Sequence, residues 1–262
     1  MFIDAHTHVF HPKIAQKVLN QLETHYSITP VGSGLIEDLL NRLQTAGLDK
    51  AVVLTAATAP AQVIPANNWA IQIKKDHERL VPFGTIHPDF ADMEEELNRL
   101  ERNGIRGLKI HPDFQSFWLD APEFYEIMEM IEDRFVCLFH IGDRLPPEQN
   151  PSCPKKLAAL RKAFPKPTLI AAHMGGYLHW NEALEHLVDS DIYVDTSSVT
   201  SFVDNDLLTK LFRSHSKDRI LFGSDYPLFD AKNEINQLQQ RLKLSDKDLE
   251  TILSNAATML SE

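Results

Sequence analysis

The chain has 262 residues, with 26 basic against 37 acidic side chains and a formal net charge of −11. Hydrophobic residues make up 43%, enough for a large core, so wholesale disorder, collagen and coiled coil are excluded, and the acidic balance disfavours nucleic acid as a partner. Two cysteines, Cys137 and Cys153, are too few for a disulfide framework, and the opening MFIDAHTHVF lacks a basic-then-apolar leader, so a cytoplasmic protein with no membrane association is expected.

Eight short β-branched and apolar runs recur along the chain: FIDAH (2–6), KAVVLTA (50–56), LVPFGTIH (80–87), IRGLKIH (105–111), VCLFHIG (136–142), TLIAAHMGG (168–176), DIYVDTS (191–197) and RILFGSD (219–225). Most are nearly continuous in hydrophobicity rather than alternating, as strands buried on both faces of a parallel sheet require. Helical patterns fill the gaps. Leu35, Ile36, Leu39, Leu40 and Leu43 form a stripe that Gly47 terminates. Asp92 opens an acidic first turn that ends before Gly104, Pro122 stands at a first helical position, and Ser245 begins a near capping box with Asp248. Strands alternating with helices predict an α/β fold, a (β/α)8 TIM barrel forming one domain over 1–262. An open doubly wound sheet would show a Gly-rich phosphate turn early, and none is present. The proline-rich stretch 143–156 reads as a long loop after the fifth strand. A pentapeptide, IHPDF, occurs at 86–90 and again at 110–114, each time closing a predicted strand.

Barrel active sites lie at the C-terminal ends of the strands. The histidines, 12 in all, concentrate attention there. His6 and His8 are two apart on the first strand and therefore share a face, with Asp4 deeper on it. His87 and His111 end strands three and four, His140 ends strand five, His173 strand six and Asp225 strand eight. Nitrogen and oxygen donors without cysteine suit zinc, manganese, iron or nickel. Lys109 faces inward by strand phase; it could bridge two metals as a carboxylated lysine, hold a substrate carboxylate, or pair with a buried carboxylate such as Asp4. Arg144 could clamp a carboxylate or lie on the surface, and Tyr226 could line the pocket or pack. His179 and Trp180, after the AHMGG turn, could cover the site. Cys137 falls at a core position of its strand.

DAHTH, the strand-ending His140, AHMGG and FGSDYP, in this order, resemble the amidohydrolase superfamily, and within it the amidohydrolase-related branch of metal-dependent hydrolases. That branch is similar to aminocarboxymuconate-semialdehyde decarboxylase, γ-resorcylate decarboxylase and dicarboxylate lactonases. The resemblance implies a (β/α)8 fold and a divalent metal, zinc first, held by His6, His8, His140 and Asp225. It implies Asp225 and His173 as the catalytic residues that move a proton, with a second metal possible if His173 joins the ligands. Lys109, His111, Arg144 and Tyr226 are the expected substrate-binding residues.

The leading expectation is a metal-dependent hydrolase acting on a small carbonyl compound (amide, lactone or ester) that bears a carboxylate. The alternative is a non-oxidative decarboxylase or hydratase on the same site. Decarboxylases of the branch tend to be larger, and this lean chain tilts the expectation towards hydrolysis. A metal-dependent phosphoesterase is disfavoured because Lys109 stands where such barrels usually carry a glutamate. A non-enzymatic scaffold would have no need of the polar strand ends. A homodimer is compatible with the superfamily.

Overall fold

The computed structural model describes residues 1–188 and 190–261; Asp189 and Glu262, the end of the expected domain, lie outside the described residues. Nine strands are present among them: β1 (Ile3–Thr7), β2 (Lys50–Val53), β3 (Leu80–Pro82), β4 (Gly84–Thr85), β5 (Gly107–Ile110), β6 (Val136–Phe139), β7 (Leu169–Ala171), β8 (Tyr193–Asp195) and β9 (Ile220–Leu221). The extra strand arises because the expected third strand is broken at Phe83. The expected helices form. Gly47 caps Ile36–Ala46 at φ 74°, a left-handed conformation that glycine adopts without steric cost. Pro122 is the first residue of Pro122–Ile131. The Ser245 hydroxyl accepts from the Asp248 amide and starts Asp246–Met259, a cap worth ~1 kcal/mol. No described helix is long and apolar enough to cross a membrane.

The chain divides into two compact units. The first comprises 1–54, 77–81 and the chain from 196 onward. Here β1 pairs in parallel with β2, Ile3 opposite Lys50 and Asp4 opposite Ala51, with a register shift before Thr7 meets Val53. On its other side β1 runs beside the segment after β9: the Ala5 amide donates to the Phe222 carbonyl, the Asp225 amide to the His6 carbonyl, and Thr7 bridges Tyr226. Asp4 is fully buried and serves this junction, accepting from the amides of Ser224 and His6.

The second unit comprises 55–76 and 82–195. Its strands run in the order β4-β5-β6-β7-β8, each parallel to its neighbours. Parallel neighbours need crossovers, and helices Met93–Arg102, Pro122–Ile131, Pro154–Ala163 and Trp180–His186 supply them. Leu108, Ile110, Leu138, Phe139 and Ala171 are completely buried, which is why these runs carry no polar alternation. Cys137 is among them, and burial pushes its thiol up to about 12, so it has no nucleophilic character. The stretch 143–153 is the long loop expected after β6.

Candidate metal centre

In the first unit the end of β1 and the turn after β9 bring three donor groups together. The ligand atoms of His6, His8 and Asp225 all lie within 4.8 Å of one another. Asp225 Oδ1 is 3.6 Å from His6 Nε2 and 3.5 Å from His8 Nε2. Donors ~2.1 Å from a shared cation stand roughly 3.0–3.4 Å apart, so little movement would be needed. His6 and Asp225 are buried, and the His8 side chain keeps 21% of its surface exposed, which leaves an approach for a small molecule.

Hydrogen bonds set which atom of each group faces the others. His8 Nδ1 lies 3.0 Å from the Leu54 carbonyl. A carbonyl only accepts, so the proton sits on Nδ1 and the lone pair on Nε2 faces Asp225. His6 Nδ1 meets the Ser197 hydroxyl at 3.1 Å, which again leaves Nε2 towards the carboxylate. Asp225 Oδ2 accepts from the Ser198 hydroxyl at 2.5 Å, leaving Oδ1 towards the imidazoles. The arrangement turns two ring nitrogens and a carboxylate oxygen onto one point, and His6 Nε2 carries a lone pair when His6 Nδ1 donates to Ser197 Oγ. Such a donor set is electrostatically costly alone and suits a divalent cation. Asp225 occupies the left-handed region at φ 63°, and this turn of the chain directs its carboxylate back to the end of β1.

The second unit gathers another set of histidines. His140 follows β6, and its Nδ1 is 3.0 Å from His173 Nε2, beyond β7. His173 is itself left-handed at φ 60°; its amide donates to Asp195 Oδ1 and its carbonyl accepts from the Trp180 indole. His111 stacks on His140 with centroids 3.8 Å apart and planes 9° apart, and Phe114 stacks on His111 at 4.0 Å. Donor atoms of His111, Asp113 and His140 also approach within 4.8 Å. The stacking argues against a shared ion there, because imidazole lone pairs lie in the ring plane. Two parallel rings cannot aim theirs at one cation ~2.1 Å from each.

His87 and His111, the histidines of the repeated IHPDF, are locked in the opposite sense to His8. The Asp89 amide donates to His87 Nδ1, and the Phe114 amide donates to His111 Nδ1. Nδ1 is therefore an acceptor and the proton of each neutral ring sits on Nε2. Burial holds the His87 pKa below its ordinary value, favouring that neutral form. Gln115 ties the two motifs: its side-chain oxygen accepts from the His111 amide, and its Nε2 donates to the carbonyls of Ala57 and Ile86.

The remaining expected residues are placed as follows. Lys109 is 1% exposed, in register between Thr85 and Leu138. Arg144 is exposed on the loop after His140. Tyr226 is buried, its hydroxyl 2.9 Å from Asp38 Oδ2 and accepting from the Gly34 amide, and its ring lies over Gly32. That hydroxyl is thus committed to the 32–38 segment. His179 Nε2 reaches the Leu145 carbonyl at 2.8 Å, joining its turn to the long loop. Asp113, unnoticed in the sequence, also anchors that loop through Ser152 and Asn150; burial pushes its carboxyl up to about 6. Sequence reasoning also missed Ser197, Ser198 and Gln115. Ser197 ends the DIYVDTS run and Ser198 follows it, so their strand-end position was the available signal.

A family model described as amidohydrolase matches residues 3–260, and the chain belongs to that family. Its fold class is the expected α/β (β/α)8 TIM barrel. A 2,6-dihydroxybenzoate decarboxylase complexed with 2,6-dihydroxybenzoate matches with a TM-score of 0.71 and 16% identity, covering 100% of this chain and 99% of that one. A TIM-barrel protein from Bordetella bronchiseptica matches with a TM-score of 0.77 and 17% identity, covering 99% and 98%. The 5-carboxyvanillate decarboxylase of Novosphingobium aromaticivorans, complexed with manganese and 4-hydroxy-3-methoxy-5-nitrobenzoic acid, matches with a TM-score of 0.74 and 16% identity, covering 100% and 96%. No curated protein matches the chain by sequence.

Proposed function

We propose that this chain is a metal-dependent amidohydrolase-family enzyme that removes the carboxyl group of a small carboxylated, hydroxylated aromatic compound without oxidation. The observation that carries the metal is the convergence of His6 Nε2, His8 Nε2 and Asp225 Oδ1, with the outer atoms of all three groups held by other bonds. Manganese or zinc suits these donors. The reaction is supported by two structural neighbours that are decarboxylases. Sequence length had favoured hydrolysis of an amide, lactone or ester. The chain nevertheless matches 99% of the 2,6-dihydroxybenzoate decarboxylase, so its length is compatible with decarboxylation.

When bound, the cation would supply a positive charge that holds and polarises a substrate oxygen. The chain's own groups do the rest. In decarboxylation the electron pair of the breaking C–C bond stays on the ring carbon, carbon dioxide leaves, and the ring carbon takes a proton. Asp225 is assigned the movement of that proton and His173 assists it. His140 is assigned as a further ligand. That role requires its Nδ1 to donate to His173 Nε2, which puts the ring's lone pair on His140 Nε2. His111, with its proton on Nε2, is assigned a hydrogen bond to substrate oxygen, and Lys109 the substrate carboxylate. Cys137 and Cys153 are both free thiols, in keeping with the reducing cytoplasm as the place of action.

The test is metal content by plasma mass spectrometry, together with product analysis on 2,6-dihydroxybenzoate, 5-carboxyvanillate, lactones and esters. About one equivalent of metal with carbon dioxide release is expected, and the His6→Ala/His8→Ala double variant should fold and lose the metal. Acid release from lactones or esters without carbon dioxide would restore hydrolysis. Stoichiometric metal in the double variant would overturn the ligand assignment.

A further inference from the structure

We infer that Ser197 and Ser198 are a paired positioning device of the metal centre: two consecutive hydroxyls that aim His6 and Asp225, on different segments, at one cation. The inference rests on the reading of His6 and Asp225 as ligands. Ser197 is fully buried and Ser198 is 3% exposed, so both hydroxyls act in a dry environment where each bond is strong and each loss is costly. Ser197 Oγ meets His6 Nδ1 and Ser198 Oγ donates to Asp225 Oδ2. In each case the serine holds the atom that faces away from the shared point, so it orients the ligand without competing for the cation.

The segment that carries them is rigid. The Thr196 amide donates to the Leu221 carbonyl, and its hydroxyl both donates to the Gly223 carbonyl and accepts from the Gly223 amide. Residues 196 and 198 thus run in step with 221–225. Beyond the serines, the Thr200 hydroxyl donates to Glu234, and Arg241 donates to the carbonyls of Thr200 and Val203. Ser198 stands at φ 57°, a conformation an unbranched polar residue accepts only when its surroundings impose it. Successive side chains on such a segment point to different sides, so one dipeptide can serve two ligands. Outer partners of this kind typically change metal affinity ~10–100-fold when removed.

The experiment measures Mn2+ affinity by competition with a chelator, and the visible spectrum of bound Co2+, for the wild-type protein and for Ser197→Ala, Ser198→Ala and Thr200→Val. Each serine variant should bind Mn2+ ~10–100-fold more weakly and shift the Co2+ spectrum, with the unfolding temperature of the metal-free protein little changed. Thr200→Val, which holds the segment but touches no ligand, should lower that temperature and leave affinity near wild type. Serine variants that bind Mn2+ within twofold of wild type with an unaltered Co2+ spectrum would overturn the inference. A wild-type chain that binds neither ion would overturn the ligand assignment itself, and this inference with it.

Discussion

His8 in the first unit and His87 and His111 in the second are set in opposite ways. In the first, His8 gives its Nδ1 proton to a backbone carbonyl and keeps a lone pair on Nε2. In the second, His87 and His111 receive a backbone N–H at Nδ1 and so carry the proton on Nε2. The same side chain becomes an electron-pair donor in one region and a hydrogen-bond donor in the other. One neighbouring backbone atom makes the difference, a carbonyl for His8 and an amide for His87 and His111. A histidine count alone cannot separate binding a cation from holding an oxygen atom; the backbone partner can.

The comparison breaks most visibly at Asp225. Asp225→Asn keeps the shape and one oxygen but removes the charge to which the proposal assigns the proton movement. Turnover should fall ~10²–10⁴-fold while most of the metal stays bound, read by steady-state kinetics and metal analysis together. Near-normal turnover would take Asp225 out of the mechanism. A sharper contrast comes from His111→Phe. Phenylalanine keeps a ring against His140 and loses the Nε2 proton. Loss of a hydrogen bond to a charged substrate group is worth ~1.5–3 kcal/mol, so kcat/KM should fall roughly 10–100-fold with metal content intact. Loss of metal in that variant would mean the second unit's ring is not a donor of the kind described.

The smallest effect is on stability. Burial, first of all, pushes Glu234 up to about 7, with Asp225 and Asp230 adding to the shift and Thr200 and Arg241 opposing it. The folded chain therefore holds a proton that the unfolded chain releases near the ordinary value of 4.5. Between those values the folded state binds more protons, so stability is highest below them and falls as pH rises towards neutrality. Glu234→Gln should flatten this decline, by on the order of 3 kcal/mol at most. Asp113, raised from 3.8 to about 6 in the second unit, should give a slightly smaller decline that ends at lower pH, and Asp113→Asn would remove it. Denaturant titrations of metal-free protein from acid to neutral pH measure both; an unchanged slope in Glu234→Gln would show that the group titrates normally.

Much of this was legible in the sequence, for a physical reason. A strand buried on both faces reads as an apolar run, and the polar residues that close it mark the strand end. FIDAH, VCLFHIG and FGSDYP placed His6, His140 and Asp225 at or near strand ends in this way. The break at Phe83 was hidden, because LVPFGTIH is continuous in hydrophobicity and only the pairing of its ends divides it. The settings of His8 and Gln115 were hidden as well. Their partners, Leu54 and Ala57, are distant in sequence, and backbone carbonyls leave no trace in composition. The serines at 197 and 198 looked like any hydroxyls in a turn until the segment placed them on His6 and Asp225.

Gly32 has a bearing on how this chain can change over generations. A Cβ built there would lie 2.2 Å from the ring of Tyr226, the immediate neighbour of Asp225. Residue 32 cannot grow while residue 226 stays a tyrosine: a lineage that enlarges residue 32 must first shrink residue 226, and the intermediate carries a hole. The two sites should drift as a linked pair, and the aspartate beside them inherits a constraint set by a glycine almost two hundred residues earlier in the chain.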